Sequence, residues 1–241
     1  MPLTLVSTPI GNPEDITLRA IRILKECDGI ICEEWKPAKI LFKQLGIPEK
    51  PLYQLNEHST NADLTELVEL CASQNMALIS NCGTPGFCDP GQGLIAELRK
   101  RSVTMTTAPG VSSLTTALSL AGFPVDRFRL VGFLSPETGE RMRQVKRLVH
   151  ENEPLVFLDT PYRLNKLLGE LAQVMGNVQA TLALNLTLPE EKIVSGALKQ
   201  LASQTWPKSE FILVTRAPQG AKMPEESRSQ HQAKTKHGAR R

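Results

Sequence analysis

The sequence predicts an α/β protein with two domains, a mostly parallel sheet in the first and a mixed α+β sheet in the second. From the start to about residue 121, short apolar runs alternate with segments of helical period, the pattern of a parallel sheet covered by helices. After "AGFPVDRF" (121–128), strand-like runs follow one another with fewer helices between them. We therefore expect an N-terminal domain over 1–123, a C-terminal domain over 124–218 and a tail over 219–241.

The individual elements follow from the same periodicities. In the first half, strands are predicted at 3–7, 29–34, 76–80 and 103–107, and helices near 15–26, 36–45, 61–74, 92–101 and 112–121. Asp15 is interpreted as the cap of the first helix. In the second half, strands are predicted at 128–134, 154–159, 179–188, 191–196 and 210–216, with helices mainly over 138–151, 161–174 and 197–204.

The charge is unevenly distributed along the chain. The formal net charge is +3, and residues 219–241 hold six Lys/Arg against two Glu, so that subtracting this +4 leaves about −1 for the rest. This balance excludes a globally basic nucleic-acid-binding body. The tail has no periodicity and few apolar residues, so we expect it to be disordered.

The cysteines and the N-terminus indicate a reducing compartment. Five cysteines form an odd set without CxxC spacing, which predicts reduced and mostly buried thiols, with Cys82 and Cys88 packing in a loop. The first residues lack the basic region of a signal peptide, and no window approaches the roughly 18 apolar residues of a membrane span. We expect a cytoplasmic protein that does not cross a membrane.

Several common site motifs are absent from the sequence. It contains no GxxxxGK[ST], HExxH or GxSxG pattern and no paired His/Cys spacing, so no metal is expected. A GxGxxA match at Gly91, Gly93 and Ala96 follows a Pro-rich loop instead of a strand, which favours a helix start over a dinucleotide site.

Four loops rich in Gly, Pro or acidic residues follow the predicted parallel strands. They read "STPIGNPED" (7–15), "EEWKP" (33–37), "SNCGTPGFCDPG" (80–91) and "APGVSS" (108–113). Ligands of open α/β sheets bind outside the carboxyl ends of the strands. Together the loops predict a preorganised pocket for a small polar ligand.

Four blocks in order resemble the tetrapyrrole (corrin/porphyrin) methylase superfamily, and within it the bacterial small-subunit ribosomal RNA ribose 2′-O-methyltransferases. "TPIGNPEDITLRAIRIL", "GTPGFCDPGQGLI", "APGVSSLTTALSLAGFPVDRFRLVGFL" and "FLDTPYRL" are similar to the family's motifs, and the likeness covers roughly residues 3–217. The resemblance implies a homodimer that binds S-adenosylmethionine. The residues expected at the cofactor are Asn81, Gly83, Thr84, Pro85, Val111, Ser112, Ser113, Phe157, Leu158, Asn185 and Leu186.

The expected catalytic residues are Asn12, Glu33, Glu34 and Arg141, each with a structural alternative. Asn12 is either a left-handed turn residue or a substrate contact. Glu33 and Glu34 are either a solvated strand end or an acid pair that polarises an acceptor hydroxyl, and strand alternation would turn them to opposite faces. Arg141 is either a surface residue or a phosphate contact. Trp35 and Phe87 are either packing residues or stacking surfaces for a base.

Departures from the family pattern leave the substrate open. Asn81 stands where the family has Asp, Trp35 and Lys36 replace Thr-Arg, and Asn185 and Leu188 replace Glu and Lys. The first hypothesis is an S-adenosylmethionine-dependent methyltransferase acting on a ribose 2′-hydroxyl of ribosomal RNA, with the tail adding attraction for RNA. The alternatives are a diverged paralogue that methylates a small molecule or protein, and a non-catalytic protein that binds the cofactor.

Overall fold

The computed structural model describes residues 3–87, 89–151 and 153–218 in two compact units. The predicted tail and Cys88 lie outside the described residues. The first unit holds the chain up to Thr116 together with Leu186–Pro189, and the second holds Ala117–Asn185 and the residues from Glu190 onward. The division falls ahead of Pro124, where we expected a boundary. Within the described ranges, no helix has the length and apolar character to cross a membrane.

The first unit is built on a parallel sheet with strand order β3-β2-β4-β1-β5. Its strands are β1 (Leu3–Val6), β2 (Gly29–Cys32), β3 (Leu52–Gln54), β4 (Met76–Leu78) and β5 (Met105–Ala108). Its helices are α1 (Leu18–Glu26), α2 (Trp35–Leu45), α3 (Asn61–Ser73), α4 (Gly91–Lys100) and α5 (Ser113–Ser119), and α5 continues into the second unit. The parallel sheet predicted for this half is confirmed.

Side-chain alternation along the strands separates two apolar clusters on the faces of this sheet. Ile30 and Ala77 pack in one cluster with α1 and α2, and the next residues along the same strands, Ile31 and Leu78, pack in the other with α3 and α4. Every residue of β2 is buried. The central strands are therefore covered on both faces, as a parallel sheet requires.

The second unit has a mixed sheet with strand order β6-β7-β10-β8-β9. Only β6 and β7 run parallel, and the other neighbours are antiparallel. The strands are β6 (Arg129–Gly132), β7 (Leu155–Asp159), β8 (Gln179–Leu184), β9 (Lys192–Ala197) and β10 (Phe211–Thr215), and the helices are α6 (Thr138–Leu148), α7 (Leu164–Met175) and α8 (Leu198–Ala202). The prediction of a mixed sheet in this half is also confirmed.

Two local expectations are wrong. Strand β3 was not predicted, because it spans three residues at the sheet edge, none of which is fully buried. Asp15 does not cap α1. It closes a 3-10 turn (Pro13–Asp15), and the Thr17 hydroxyl accepts from Ala20 N at 3.1 Å as the cap of α1.

Candidate functional site

Three loops of the first unit leave neighbouring strands at the same edge of the sheet. Strand β1 lies between β4 and β5, so the loops 7–12, 79–91 and 109–113 adjoin at its carboxyl edge. We call these loops the carboxyl-edge cluster. This is the position at which open α/β sheets bind ligands.

The first two loops are joined through Gly83. The Thr8 amide donates to Gly83 O at 2.9 Å, and the Gly83 amide donates to Thr8 O at 3.1 Å. The Ser80 hydroxyl donates to Gly83 O at 3.3 Å. Gly83 has a φ of +78°, a conformation that suits glycine, so this residue sets the path of the loop.

Asp89 fixes the rest of the second loop from within. Its carboxylate accepts from Gly86 N at 2.7 Å and from Gly91 N, the first residue of α4, at 3.0 Å. The loop is thereby closed on itself, and the start of α4 is capped although Pro90 offers no side-chain hydrogen bond. The sequence interpretation missed this role of Asp89.

The third loop approaches the first through Gly110. A Cβ atom on Gly110 would lie 2.9 Å from Ser7 Cβ, a distance that side chains do not adopt. The Ser7 hydroxyl in turn lies 3.2 Å from the hydroxyl of Thr84. The predicted residues Thr84, Val111, Ser112 and Ser113 thus belong to one cluster whose loops are joined by backbone amides and hydroxyls, and Pro85 within it is buried.

The segment Leu186–Pro189 packs on the loop that contains Gly11 and Asn12. Asn12 N donates to the Thr187 hydroxyl at 2.9 Å, and a Cβ on Gly11 would lie 2.6 Å from that same oxygen. Thr187 has a φ of +66°. Asn12 itself is extended and its side chain accepts from Glu14 N, so the left-handed alternative for Asn12 is wrong. No local sequence signal pointed to Thr187.

Glu33 and Glu34 both contact Asn81. The Asn81 side-chain amide donates to Glu34 Oε1 at 2.9 Å, and its backbone N–H hydrogen-bonds the Glu33 carboxylate. The expectation that alternation would separate the two acids is wrong, because β2 ends at Cys32 and both acids follow it. Partial burial raises the pKa of Glu33, against the opposing effect of the Asn81 amide, and the nearby Asp89 and Glu34 raise it further.

Two of the second-unit residues expected at the cofactor have structural roles. The Phe157 side chain is fully buried in the core of that unit, and its strand pairs on both sides, which argues against a cofactor contact. Asn185 has a φ of +48° and accepts from Glu210 N through its side chain. Leu158 is half-buried, and Leu186 is buried within the Leu186–Pro189 segment of the first unit.

Arg141 is neither a surface residue nor open to a phosphate. Its side chain is 1% exposed and forms a two-pronged ion pair with Glu170, at 2.5 Å from Nε and 2.7 Å from Nη2. Nη1 donates to the carbonyls of Ser135 and Pro136. Both expectations for Arg141 are therefore corrected, because the whole guanidinium is engaged inside the second unit.

The cysteines differ in their surroundings. Cys27, Cys32 and Cys71 are buried, as predicted, and burial raises the pKa of Cys32 to about 11 and of Cys71 to about 12. Cys82 is exposed, so its expected loop packing is wrong. In the described part of the chain, no group of three or more His, Cys, Asp or Glu side chains could hold a metal ion.

Comparisons with known proteins agree with the four sequence blocks that resemble the family and with the topology of the two sheets. The model of the Tetrapyrrole (Corrin/Porphyrin) Methylases matches residues 2–202. The chain belongs to the tetrapyrrole methylase family. This family member is 35% identical to the ribosomal RNA small subunit methyltransferase I of Leptospira biflexa, over 88% of this chain and 89% of that protein. It is 39% identical to the protein of that name from Rickettsia prowazekii, over 83% and 71%.

A solved structure shows the same fold at lower identity. The crystal structure of a diphthine synthase superimposes with a TM-score of 0.69 at 18% identity, covering 90% of both chains. Sequence and structure therefore both support the fold assignment of this member of the family.

The carboxyl-edge cluster fits the cofactor that the resemblance implies. Its contacts are made by glycines, backbone amides, hydroxyls and the Asp89 carboxylate, and the glycines allow close approach of a ligand to the main chain. The bound form of S-adenosylmethionine carries a cationic sulfonium, and the cluster places carbonyl groups and no Lys or Arg in these loops.

Proposed function

We propose that this protein transfers a methyl group from S-adenosylmethionine to a ribose 2′-hydroxyl of small-subunit ribosomal RNA. The relatives named for methylation of that RNA support the substrate class. The observation that carries the proposal is the pair Glu33 and Glu34. Both acids contact Asn81, which lies two residues before Gly83 in the second loop of the cluster. The pair supplies a base beside a cofactor loop that contains no Lys or Arg.

The cofactor would be held by the carboxyl-edge cluster, and when bound it supplies an electrophilic methyl group. Gly83, Thr84 and Pro85 offer main-chain contacts, and Val111 to Ser113 contribute from the adjoining loop. The Gly83–Thr8 bridge and the Asp89 contacts fix these loops before binding. Preorganisation of this kind lowers the entropy cost of positioning an acceptor for displacement.

Glu33 and Glu34 would handle the acceptor proton. A ribose hydroxyl is a weak nucleophile, and a carboxylate that accepts its proton assists its attack. The raised pKa of Glu33 makes this carboxylate a better base than an ordinary surface Glu. Asn81 would orient both acids, and Asn12 would contact the acceptor from the neighbouring loop.

Transfer of labelled methyl groups to small-subunit particles from cells lacking the gene tests the proposal. We expect label in the small-subunit RNA and, at the modified position, resistance to alkaline cleavage, because alkaline cleavage requires a free 2′-hydroxyl. Glu33→Gln should transfer slowly, while Glu26→Gln, an exposed residue at the end of α1, should behave as the unaltered protein. Label that leaves the RNA fully sensitive to alkali would contradict the 2′-hydroxyl as acceptor.

A diverged paralogue with another acceptor is the second candidate. It is favoured by the burial of Arg141 and by the slightly acidic charge of residues 1–218, both of which reduce the phosphate contacts on which RNA affinity depends. Label confined to the protein or small-molecule fraction of a cell extract would favour this candidate over the first.

The homodimer and the cytoplasmic location belong to the same proposal. Both are supported by the resemblance and by the ribosomal substrate. Light scattering of the purified chain should give twice the mass of 26.6 kDa, and a mass of one chain would contradict the dimer.

A further inference from the structure

A cavity of the first unit lies outside the carboxyl-edge cluster. It is an open depression of about 560 Å³ beside the edge strand β3, between the start of α2 and the first turns of α3. Among its lining residues are Trp35, Tyr53, Gln54, Asn56, Ser59 and Glu66. We call it the Trp35 cavity. Its volume lies within the range of roughly 300–1,000 Å³ typical of small-molecule sites.

The Trp35 cavity borders the acid pair. Trp35 directly follows Glu34 in the chain, and the Gln54 side chain donates to the backbone carbonyl of Glu33 at 3.1 Å. A group bound in this cavity therefore lies next to the carboxylates assigned to the acceptor. This adjacency links the cavity to the acids that would act on the acceptor.

Trp35 presents an aromatic surface to solvent. The residue is 51% exposed at the first position of α2, although tryptophan is usually highly buried. Tyr53 adds a second, half-buried ring, and Leu52 and Leu67 supply apolar surface. Flat heteroaromatic groups stack on such surfaces, and unpaired nucleic-acid bases bind proteins in this way.

Polar groups complete the match to a base. The amides of Gln54 and Asn56 and the hydroxyl of Ser59 line the same cavity as the aromatic rings. Amide side chains both donate and accept, which suits the mixed edges of a nucleobase. The Gln54 side chain already donates to Glu33 O, Asn56 Oδ1 accepts from His58 N and Ser59 Oγ accepts from Asn56 N, so a base would use the second donor or acceptor of each group.

The charges indicate which way a nucleotide would face. Asp63 and Glu66 make the α3 side negative, and the capping box with Thr60 lowers the pKa of Asp63, which keeps this carboxylate ionised. A phosphate is therefore repelled from α3. On the opposite side, α2 carries Lys36 and Lys39, both exposed, and Lys39 follows Trp35 by one helical turn on the same face.

We propose that the Trp35 cavity binds an unpaired RNA base next to the methylated nucleotide, with the base stacked on Trp35 and its phosphate toward α2. The inference rests on the proposed function in taking RNA as the substrate. It assigns to Trp35, which departs from the family pattern, a role in selecting the RNA strand.

Tryptophan fluorescence tests the inference directly. The chain has two tryptophans, and Trp206 is 4% exposed in the second unit, so a stacked base should quench Trp35. The probes are a single-stranded pentaribonucleotide and an abasic oligomer of the same length. We expect saturable quenching with the first and none with the second.

Variants separate stacking from general attraction. Trp35→Ala should weaken pentanucleotide binding roughly tenfold, since one stacked base contributes about 1–3 kcal/mol, and Trp35→Phe should retain most of the affinity. Ile40→Ala is the matched control, because Ile40 is equally exposed on the same helix and does not line the cavity. Because the variants without Trp35 cannot show its quenching, we expect their affinities to be measured by fluorescence polarisation of a labelled oligomer.

Equal affinity in the Trp35→Ala and Ile40→Ala variants would overturn the inference, as would tight binding of the abasic oligomer. The titration needs neither cofactor nor turnover, so it decides the cavity even where methyl transfer fails. Conversely, transfer to small-subunit RNA with unchanged pentanucleotide affinity in Trp35→Ala would uphold the proposed function and reject the base site alone. Since Trp35 is half-exposed, the Ala variant should keep the unfolding midpoint of the unaltered protein.

Discussion

The carboxyl-edge cluster of the first unit and the loop after β6 in the second are both fixed, but by different kinds of contact. In the second unit, Arg141 and Arg163 donate to the carbonyls of residues 134–136 and pair with Glu170 and Asp159. In the first unit, the loops are joined by backbone amides and hydroxyl groups around Gly83. Arginine–carboxylate ion pairs hold the loop of the second unit, whereas the carboxyl-edge cluster has no Lys or Arg and its one carboxylate, Asp89, accepts from backbone amides.

The difference leaves the acids of the first unit available for chemistry. Within the described residues, no ion pair involves Glu33 or Glu34, whose hydrogen bonds come from the neutral Asn81. The buried arginine of the second unit, by contrast, has no free edge for a substrate. A charged residue that the family pattern marks can thus belong either to a functional site or to the structural core. The groups that it contacts decide between the two.

The largest effect on stability should come from breaking the buried ion pair between Arg141 and Glu170. Arg141→Met leaves Glu170 buried without its partner, which should lower the free energy of unfolding by about 3–5 kcal/mol. Urea unfolding followed by Trp206 fluorescence, in a Trp35→Phe background, reports on the second unit alone. Arg143→Met is the control, since its pair with Glu140 is exposed and should contribute less than about 1 kcal/mol. Similar losses in both variants would refute the structural role of Arg141.

The next effect concerns the acid that the first unit keeps available. Glu33→Gln should lower methyl transfer roughly a hundredfold, the lower end of what general-base assistance supplies. In the unaltered protein, the rate should rise with pH as Glu33 ionises, with a midpoint above the ordinary value of 4.5, and this limb should vanish in Glu33→Gln. The measurement is the pH dependence of kcat/KM. A limb that persists in the variant would assign it to another group.

The raised pKa of Glu33 also affects the pH dependence of stability. Its effect is opposite in sign to that of an acid whose pKa is lowered by a salt bridge. Because the folded state raises the pKa of Glu33, it binds the proton more tightly than the unfolded chain does, so stability decreases as pH rises through the folded pKa. Glu33→Gln should therefore be at least as stable as the unaltered protein at neutral pH, which separates its loss of transfer from unfolding. A lower thermal midpoint at pH 7 would contradict this reasoning.

A smaller effect is expected where the Leu186–Pro189 segment meets the first loop. Gly11→Ala forces a methyl group to within 2.6 Å of Thr187 Oγ1 and 2.7 Å of Leu186 O, which should cost about 1–3 kcal/mol in overpacking. Gly93→Ala is the matched control, because its Cβ would meet nothing within 4 Å and it lies inside α4, where Ala is favoured over Gly. Calorimetric unfolding should therefore move the two variants in opposite directions.

The smallest effect is expected from adding a charge to Asn81, the neutral residue that contacts both acids. Asn81→Asp restores the family residue, removes the donor to Glu34 and adds a like charge beside both acids. The acid limb of the rate profile should move to higher pH, because neighbouring carboxylates disfavour joint ionisation. Parallel titration of transfer by the unaltered protein and by Asn81→Asp measures the shift, and an unmoved limb would mean that Asn81 does not set the charge of the pair.

The sequence predicted the order of the strands and helices because their apolar periods are regular. It did not predict β3, whose three residues are too few to show a period, or the cap Thr17, which a 3-10 turn displaces from Asp15. Arg141 carried no local sign of burial, since its partner Glu170 lies 29 residues away. The glycine loops were recognisable from their composition, whereas the joint contact of Glu33 and Glu34 with Asn81 depends on where β2 ends.

The proposed function depends on the binding of S-adenosylmethionine by the carboxyl-edge cluster. Calorimetric titration of the cofactor and its demethylated product into the unaltered protein, Gly110→Ala and Gly93→Ala tests it most directly. A Cβ at Gly110 would lie 2.9 Å from Ser7, which must displace one of the cluster's loops, whereas Gly93 has open space. We expect saturable binding to the unaltered protein and to Gly93→Ala, with at least a tenfold loss, about 1.4 kcal/mol, in Gly110→Ala. No binding to the unaltered protein, or equal affinity in all three, would contradict it.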